Sequence, residues 1–465
     1  MLDLGRLIPN NRIHKTYFIG IGGAGMSGIA ELLHHNGFDV SGSDMQSSQQ
    51  TEYLQGIGVK IFIGHKAENV SNAELVVYSS AVNEDNPEMQ YARKHGIPVI
   101  RRAEMLGELM RLKYTLAVSG THGKSSTTSL LGAILETAGE DPTVIVGGIV
   151  QGKGSGTTIG KGPYLAAESD EFDRSFLQMQ PSSALITNID ADHLDTYSNL
   201  DEIKNAFAQF ANKVPFYGQV VLCLDDMGCQ SILSKIVKPV ITYGFSPQAA
   251  YSVKNCRYSE HGAKFEIVRR GESLGEFSIR LFGRHNVQNA VGAFAMATEE
   301  SVPVEHSKKA METFAGVKRR MEFKGKARGA MVFDDYAHHP TEVAATLAAF
   351  RDSFPDNRVI VVFQPHLYSR TRDHAEEFGA VFGNSDILLV CDIYGSREQP
   401  IEGISGKMIF DFAHSRGHRN AHFIGACENA LEFLKKEMKE GDIVVTMGAG
   451  NITALSPRIL EISDA

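Results

Sequence analysis

Residues 114–126 read Tyr114-Thr115-Leu116-Ala117-Val118-Ser119-Gly120-Thr121-His122-Gly123-Lys124-Ser125-Ser126. An apolar run turns directly into a glycine loop, and a helical pattern follows, ending near Gly139. Strand, glycines, helix is the phosphate-cradling unit of α/β sheets. Glycines let consecutive backbone N–H groups close on an anion at the positive end of a helix. Lys124 can then reach the β/γ oxygens of a nucleotide, and the Ser125 hydroxyl can hold Mg²⁺. The pattern is GxxGK[ST] and not the full GxxxxGK[ST], because Val118 occupies the position five before Gly123. A glycine-rich helix start with a solvated lysine is the plain alternative.

Upstream, a second glycine loop, Gly20-Ile21-Gly22-Gly23-Ala24-Gly25, lies between a predicted strand Thr16–Ile21 and a predicted helix Ala24–Asn36 closed by Gly37. Asp44 ends the next strand, near the spacing at which dinucleotide folds place a ribose-binding acid. A nucleotide diphosphate, NAD(P), or an empty tight turn all fit this fingerprint, so a dehydrogenase stays open here. Predicted strands Val59–Ile63, Leu75–Ser79 and Ile97–Ile100 and a helix Arg102–Lys113 complete a first domain, 1–113. Two phosphate loops opening two separate domains are more specific than either alone, because hydride transfer has no need of the second.

Downstream, Gly147–Gly162 holds seven glycines in sixteen residues and reads as a mobile loop or loose hairpin. Strands Tyr164–Ala167, Ser183–Asn188 and Gln219–Leu224 follow. Three alternating runs, Tyr251–Tyr258, Ala263–Val268 and Glu276–Phe282, predict an antiparallel appendix. Helices His285–Glu299 and His306–Phe314 complete a central domain, 114–322. Past Lys318-Arg319-Arg320 the alternation restarts with strands Ala330–Asp334, Val359–Phe363, Ile387–Asp392, Ala421–Ile424 and Ile443–Met447, a third domain over 323–465. The fold class expected is therefore α/β with three domains: an N-terminal Rossmann-like domain, a central P-loop ATPase-like domain with a mostly parallel sheet and antiparallel appendix, and a C-terminal Rossmann-like domain.

Strand ends on the ligand edge of the central sheet carry the metal candidates. Glu168 ends one strand within Glu168-Ser-Asp170-Glu171-Phe-Asp173, and His193 follows another within Asp190-Ala-Asp192-His193-Leu-Asp195. A carboxylate there suits Mg²⁺. Histidine is an unusual ligand for so hard an ion, so a loop cap is the alternative for His193, and a solvated acidic loop for the first cluster.

Composition narrows the class. The 465 residues hold 46 Lys+Arg against 55 Asp+Glu, a net charge of −9, which argues against a nucleic-acid-gripping protein. No apolar run reaches the ~18 residues of a membrane span, and the start shows no secretory pattern. The five cysteines include no CxxC pair. Reduced thiols in a cytoplasmic protein are expected. The sequence leaves the oligomeric state open.

Taken together, Gly20–Ala30 (GIGGAGMSGIA), Gly120–Ser125, Glu168–Phe176 (ESDEFDRSF), Asn188–Tyr197 (NIDADHLDTY), Gly283–Asn289 (GRHNVQN), Gly316–Glu322 (GVKRRME), Asp334–Glu342 (DDYAHHPTE) and Gln364–Asp373 (QPHLYSRTRD) resemble the Mur ligase family, in the family's order and over nearly the whole chain. The resemblance implies ATP-dependent joining of L-alanine to the lactyl carboxylate of UDP-N-acetylmuramate for peptidoglycan synthesis, with Mg²⁺ as cofactor and no nucleic-acid or membrane partner. It turns the first loop into a holder of UDP's diphosphate, through Gly22, Gly23, Ala24, Gly25, Met26, Asp44, His65 and Ser79. It assigns ATP to Gly120, Thr121, His122, Gly123, Lys124, Ser125 and Ser126, with His285, Asn286 and Asn289 toward adenine and Arg320 and Asp335 toward the nucleotide. It makes Ser125, Glu168 and His193 metal ligands.

The amino-acid site implied is Tyr336, His338, His366 and Arg370; the catalytic set is Lys124, His338, His366 and Arg370. On the residues alone, His285–Asn289 also reads as a capped helix start, Lys318–Arg320 as a solvated linker, and His338-His339-Pro340 as a helix cap. Two positions depart from the family pattern. Ser125 stands for the more familiar Thr, which keeps the hydroxyl. Leu367 stands where Arg is expected, leaving Arg370 or Arg372 for the amino acid's carboxylate.

Overall fold

In the first sheet the strand order is Lys60–Ile63, Asp39–Asp44, Lys15–Ile19, Leu75–Tyr78, Val99–Arg101, with every pair parallel. The strands are short, and the three inner ones are largely buried while the edge strands Lys60–Ile63 and Val99–Arg101 are not. The order reverses at Lys15–Ile19, and ligands bind beyond the carboxyl ends at such a reversal. Gly20 lies there at φ +78°, and the helix Ala24–His35 follows. The computed structural model describes residues 13–463 apart from 80, 153–155, 173, 192–195 and 397. His193 therefore lies outside the described residues.

The central sheet has ten strands in the order Glu272–Ile279, Gly262–Arg269, Tyr251–Ser259, Val240–Gly244, Val220–Cys223, Ser183–Ile186, Tyr114–Ser119, Tyr164–Glu168, Thr143–Ile145, Thr157–Thr158. Tyr114–Ser119 is paired in parallel with Ser183–Ile186 on one side and Tyr164–Glu168 on the other. Three adjacent carboxyl ends thus deliver the lysine loop, Glu168 and Asn188 to one edge. The antiparallel appendix is present, but its third strand is Glu272–Ile279 and not Glu276–Phe282. Arg270 and Gly271 at φ +49° and +95° form a tight reversal that starts the strand earlier. Phe282 instead packs on Phe333 and Phe354, with centroids 6.0 and 5.4 Å away. The strands Val240–Gly244, Thr143–Ile145 and Thr157–Thr158 went unread in the sequence because each is short and bordered by glycine or proline.

The C-terminal sheet runs Glu322–Ala327, Ala330–Asp335, Ile443–Met447, Val359–Phe363, Ile387–Cys391, Ala421–Gly425. Only the first pair is antiparallel. The last strand of the chain is inserted between the first two parallel ones, an order unlike that of the N-terminal sheet. Glu322–Ala327 (EFKGKA) carries no apolar alternation, so pairing at an edge, and not side-chain burial, makes it a strand. Phe333, Phe350, Val361 and Val445 pack on one face of this sheet and Val332, Val362, Val444 and Leu389 on the other. Each side chain buried this way contributes ~1.5–3 kcal/mol.

The chain divides into two compact units. One comprises 1–255, 265–277 and 288–314, and so holds both glycine loops; the other comprises 256–264, 278–287 and 315–465. Among the described residues no helix is long and apolar enough to cross a membrane, and all five cysteines are free.

Candidate functional site

The lysine loop is built by backbone constraint. Gly120 has φ +139°, and a Cβ there would lie 2.0 Å from Thr187 Oγ1. Gly123 has φ +82° and meets the Asn289 amide, 2.5 Å from Oδ1. Neither position tolerates a side chain. Gly123 then starts the helix Lys124–Thr137 without a side-chain cap, which leaves its first N–H groups as anion donors. Neighbouring strand ends hold the loop. Thr187 Oγ1 donates to the His122 carbonyl at 2.6 Å, and Asn188 accepts from His122 N at 2.8 Å and donates to the His122 carbonyl at 3.0 Å. Asp190 N donates to Thr121 Oγ1 at 2.9 Å.

Lys124 Nζ donates to the carbonyls of Gly120 (2.6 Å) and Thr121 (3.2 Å) and to Glu171 (2.8 and 3.1 Å). Burial works against its charge, but the carboxylates of Glu171, Asp170 and Glu168 outweigh burial and raise its pKa. Burial pushes the Glu171 carboxyl up to about 7, with Lys124 opposing. Ser125 Oγ donates to Glu168 Oε2 at 3.0 Å, and the same oxygen accepts Gly147 N–H at 2.8 Å. A hydroxyl and a carboxylate at a phosphate loop are hard oxygen donors of the kind Mg²⁺ takes.

The first glycine loop is equally tight. A Cβ on Gly22 would lie 2.8 Å from Thr51, and one on Gly25 2.8 Å from the Arg102 guanidinium. Asp44 Oδ2 accepts Gly22 N–H at 2.9 Å, so the acid expected at a ribose also anchors the loop. Ser79 O accepts from Val82 N, and Ser79 N donates to Ile19 O. Met26, expected beside UDP, is 1 % exposed, and its Cγ and Cβ lie beside the loop, 3.7 and 3.9 Å from where a Cβ on Gly23 would stand.

In the C-terminal unit, three strand ends converge. Tyr336 lies under two guanidiniums, Arg319 at 4.9 Å and Arg320 at 5.1 Å from the ring centroid. Arg319 also donates to the carbonyls of Gly448 (2.6 Å) and Gly450 (3.1 Å), which secures the loop after Met447. Arg320 pairs with Glu342 at 3.4 Å. His338 Nδ1 lies 2.9 Å from the Tyr336 carbonyl and 3.2 Å from Glu342. Arg370 donates to His366 Nδ1 at 3.3 Å, and the His366 ring stacks on Tyr394 at 6.0 Å. Leu367 caps the next helix at φ +70°. Arg372 pairs with Asp373 at 2.7 Å, which leaves Arg370 as the arginine next to the histidines. Asp335 accepts the N–H groups of Met321 and Ala337, each at 2.7 Å. Burial pushes its carboxyl up to about 6, with Arg320 pulling it back.

His285 and Asn286 belong to the C-terminal unit and Asn289 to the other, so the helix Arg284–Glu299 contributes to both. Burial, with Arg320 adding to it, depresses the His285 pKa to about 4 against the pull of Glu342. A depressed histidine contributes stability that is present above its unfolded pKa of ~6.5 and is lost as pH falls toward the folded value. Urea unfolding of the wild type is thus expected to lose about 2 kcal/mol between pH 7.5 and pH 5 from this residue. A His285→Gln variant loses that share of the slope. Equal slopes in the two proteins would refute the assignment.

Three family models match in series: "Mur ligase family, catalytic domain" over residues 15–114, "Mur ligase middle domain" over 118–297, and "Mur ligase, glutamate ligase domain" over 319–450. A UDP-N-acetylmuramate–L-alanine ligase of a Geobacter species is 46% identical over 449 residues, covering 97% of each chain. One from Desulfotalea psychrophila is 47% identical over 450 residues, covering 97% of this chain and 98% of that protein. The chain belongs to the Mur ligase family. Among solved structures, the UDP-N-acetylmuramate–alanine ligase of Thermotoga maritima superposes with a TM-score of 0.82 at 30% identity, covering 96% of this chain and 98% of that one. A murein peptide ligase of Psychrobacter arcticus shares the fold, with a TM-score of 0.71 at 23% identity and coverage of 97% and 100%.

Reading the motifs of this Mur ligase residue by residue did not single out Glu171, Asn188, Glu342 or Tyr394. Glu171, Asn188 and Glu342 stand inside quoted motifs, so a signal existed. The roles of Glu171 and Asn188 depend on which strand ends are neighbours, whereas Glu342 meets His338 four residues away on the same helix start. Tyr394 had no signal: it reaches His366 only through the bridge that His366 makes to Tyr394 across the sheet edge.

Proposed function

We propose that this Mur ligase joins the amino group of L-alanine to the lactyl carboxylate of UDP-N-acetylmuramate, converting ATP to ADP and phosphate, as a cytoplasmic step in peptidoglycan synthesis. The observation that carries this is full-length identity of 46–47% with ligases of that name, on a chain whose two phosphate loops open two separate sheets. We read the chain as 1–113 for the nucleotide sugar, 114–322 for ATP and 323–465 for the amino acid.

A carboxylate does not acylate an amine directly, because oxide would have to leave. In the proposed sequence a carboxylate oxygen attacks the γ-phosphorus and ADP departs. The amine nitrogen then attacks the acyl carbon, the C–O bond to phosphate breaks, and phosphate departs. The protein's part is positioning and charge compensation. Lys124 exchanges Glu171 for phosphate oxygens. The N–H groups following Gly123 take the remaining charge. Ser125 and Glu168, with His193 as a further candidate, would hold Mg²⁺, which neutralises phosphate charge when bound.

For the proton of the alanine ammonium, the hydrogen bonds favour His338 over His366. Tyr336 O and Glu342 hold the hydrogen on His338 Nδ1, leaving Nε2 able to accept. Arg370 can only donate to His366 Nδ1, so a neutral His366 carries its hydrogen on Nε2 and has no acceptor to offer. Arg370 is then the cation for the amino acid's carboxylate.

A phosphate-release assay with Mg²⁺, ATP and UDP-N-acetylmuramate tests the reading across L-alanine, glycine, serine and a murein tripeptide. Release is expected only with all components present and fastest with L-alanine. Faster release with the tripeptide, or release without any amine, would overturn it.

A further inference from the structure

Glu88 is 0 % exposed and sits in the first turn of the helix Pro87–Lys94, behind the cap Asn86. A buried carboxylate is costly unless donors replace its water. Five donors do so here. Tyr17 OH and Asn69 Nδ2 each lie 2.8 Å from Oε1, and Lys66 N lies 3.2 Å from it. Ser43 Oγ lies 2.5 Å and His65 Nδ1 3.1 Å from Oε2. None of the five is a lysine or arginine side chain. A cluster of donors around one carboxyl group requires an acceptor at both oxygens.

His65 is the member of this cluster that reaches the ligand edge. It lies two residues past the strand Lys60–Ile63, and its side chain is 14% exposed. The main chain of Ser43 ties the same network to the glycine loop, because its carbonyl accepts the N–H groups of Gly20 (2.8 Å) and Ile21 (3.0 Å). His65 Nδ1 has two neighbours, Glu88 and Ser43 Oγ at 2.9 Å. The Ser43 hydrogen is already given to Glu88, so both neighbours accept, and Nδ1 must carry a hydrogen. The ring nitrogen left for a ligand, Nε2, is then a bare acceptor in the neutral ring.

We propose that Glu88 is a positioning residue for the nucleotide sugar: it holds His65 with the hydrogen on Nδ1, so that Nε2 accepts from a donor of the uridine, its ring N–H or a ribose hydroxyl, and not from the diphosphate, which has only acceptors. This rests on the reading of the first glycine loop as the UDP site. A glutamine at position 88 would turn an NH₂ toward one of the five donors, which breaks the arrangement without changing its size.

Calorimetric titration of the full-length chain with UDP tests this in four proteins: wild type, Glu88→Gln, His65→Ala and the double variant. Each single change is expected to weaken UDP binding by about tenfold. The double variant is expected to match His65→Ala, because Glu88 acts through His65. ATP affinity should stay near wild type throughout. Histidine-selective ¹⁵N spectra are expected to show the Nδ1–H form of His65 in the wild type and a shift toward Nε2–H in Glu88→Gln. Wild-type UDP affinity in Glu88→Gln, single losses that multiply to about a hundredfold in the double variant, or an Nε2–H wild-type tautomer would each overturn the proposal. If Glu88→Gln fails to fold, the wild-type tautomer decides alone. A wild type that binds no UDP at all would sink the diphosphate-site reading as well, and that outcome is distinct from an indifferent variant of a protein that binds.

Discussion

Lys124→Ala is expected to reduce ADP release by roughly 10³-fold or more while leaving the affinity for UDP-N-acetylmuramate within a factor of about two. The lysine supplies the one side-chain cation inside the loop, where developing phosphoryl charge needs it in a poorly hydrated setting. On the proposed reading the nucleotide sugar is held by a different loop on a different sheet, so its binding has no reason to follow. A structural side effect must be separated from the catalytic one. Removing the ammonium leaves Glu171, which is 2 % exposed, without its cation, so its carboxyl must either take up a proton or stay charged in the interior, and breaking a buried pair in this way costs up to ~3–5 kcal/mol. The double variant Lys124→Ala with Glu171→Gln is therefore expected to regain most of the lost stability and none of the lost activity. Circular dichroism melts and ADP release measured on the same samples check this. Return of activity in the stabilised double variant would show that Lys124 acts by folding the loop; loss of UDP-sugar binding in it would contradict the division between the two loops.

Glu168→Gln is the second large effect. The carboxylate accepts from Ser125 and from Gly147 N–H, and glutamine keeps one carbonyl acceptor for those donors while giving up the charge. The fold should survive, since Glu168 ends a strand paired on both sides. Turnover is expected to fall by at least about 10²-fold, and the Mg²⁺ concentration giving half-maximal rate should rise. A Mg²⁺ titration of phosphate release reads both. An unchanged half-maximal concentration, whatever the rate, would remove Glu168 from the metal site and leave it as a tether for the glycine-rich segment.

Most of the architecture was legible because parallel strands buried on both faces are written as near-continuous apolar runs. Val359–Phe363 and Ile443–Met447 are such runs and lie where expected. Glu322–Ala327 was not legible, since an edge strand made by backbone pairing needs no apolar pattern. The third ribbon strand was displaced because Phe282 looked like the end of a strand, whereas its apolar character belongs to a packing contact with Phe333. At the site, glycine, lysine, serine and strand-end acids announce themselves by chemistry at fixed spacing. Glu88 and Tyr394 do not, because a lone acid in a helix start and a tyrosine in a loop are common surface features.

The sequence alone determined the kind of elements, the two glycine loops and the family, because backbone freedom at glycine and the period of burial are local properties of the chain. Which loop stands beside which strand end was decided only by tertiary structure. Sheet order is set by packing between segments far apart in the chain, and it is sheet order that places Glu171 on Lys124 and Glu88 on His65.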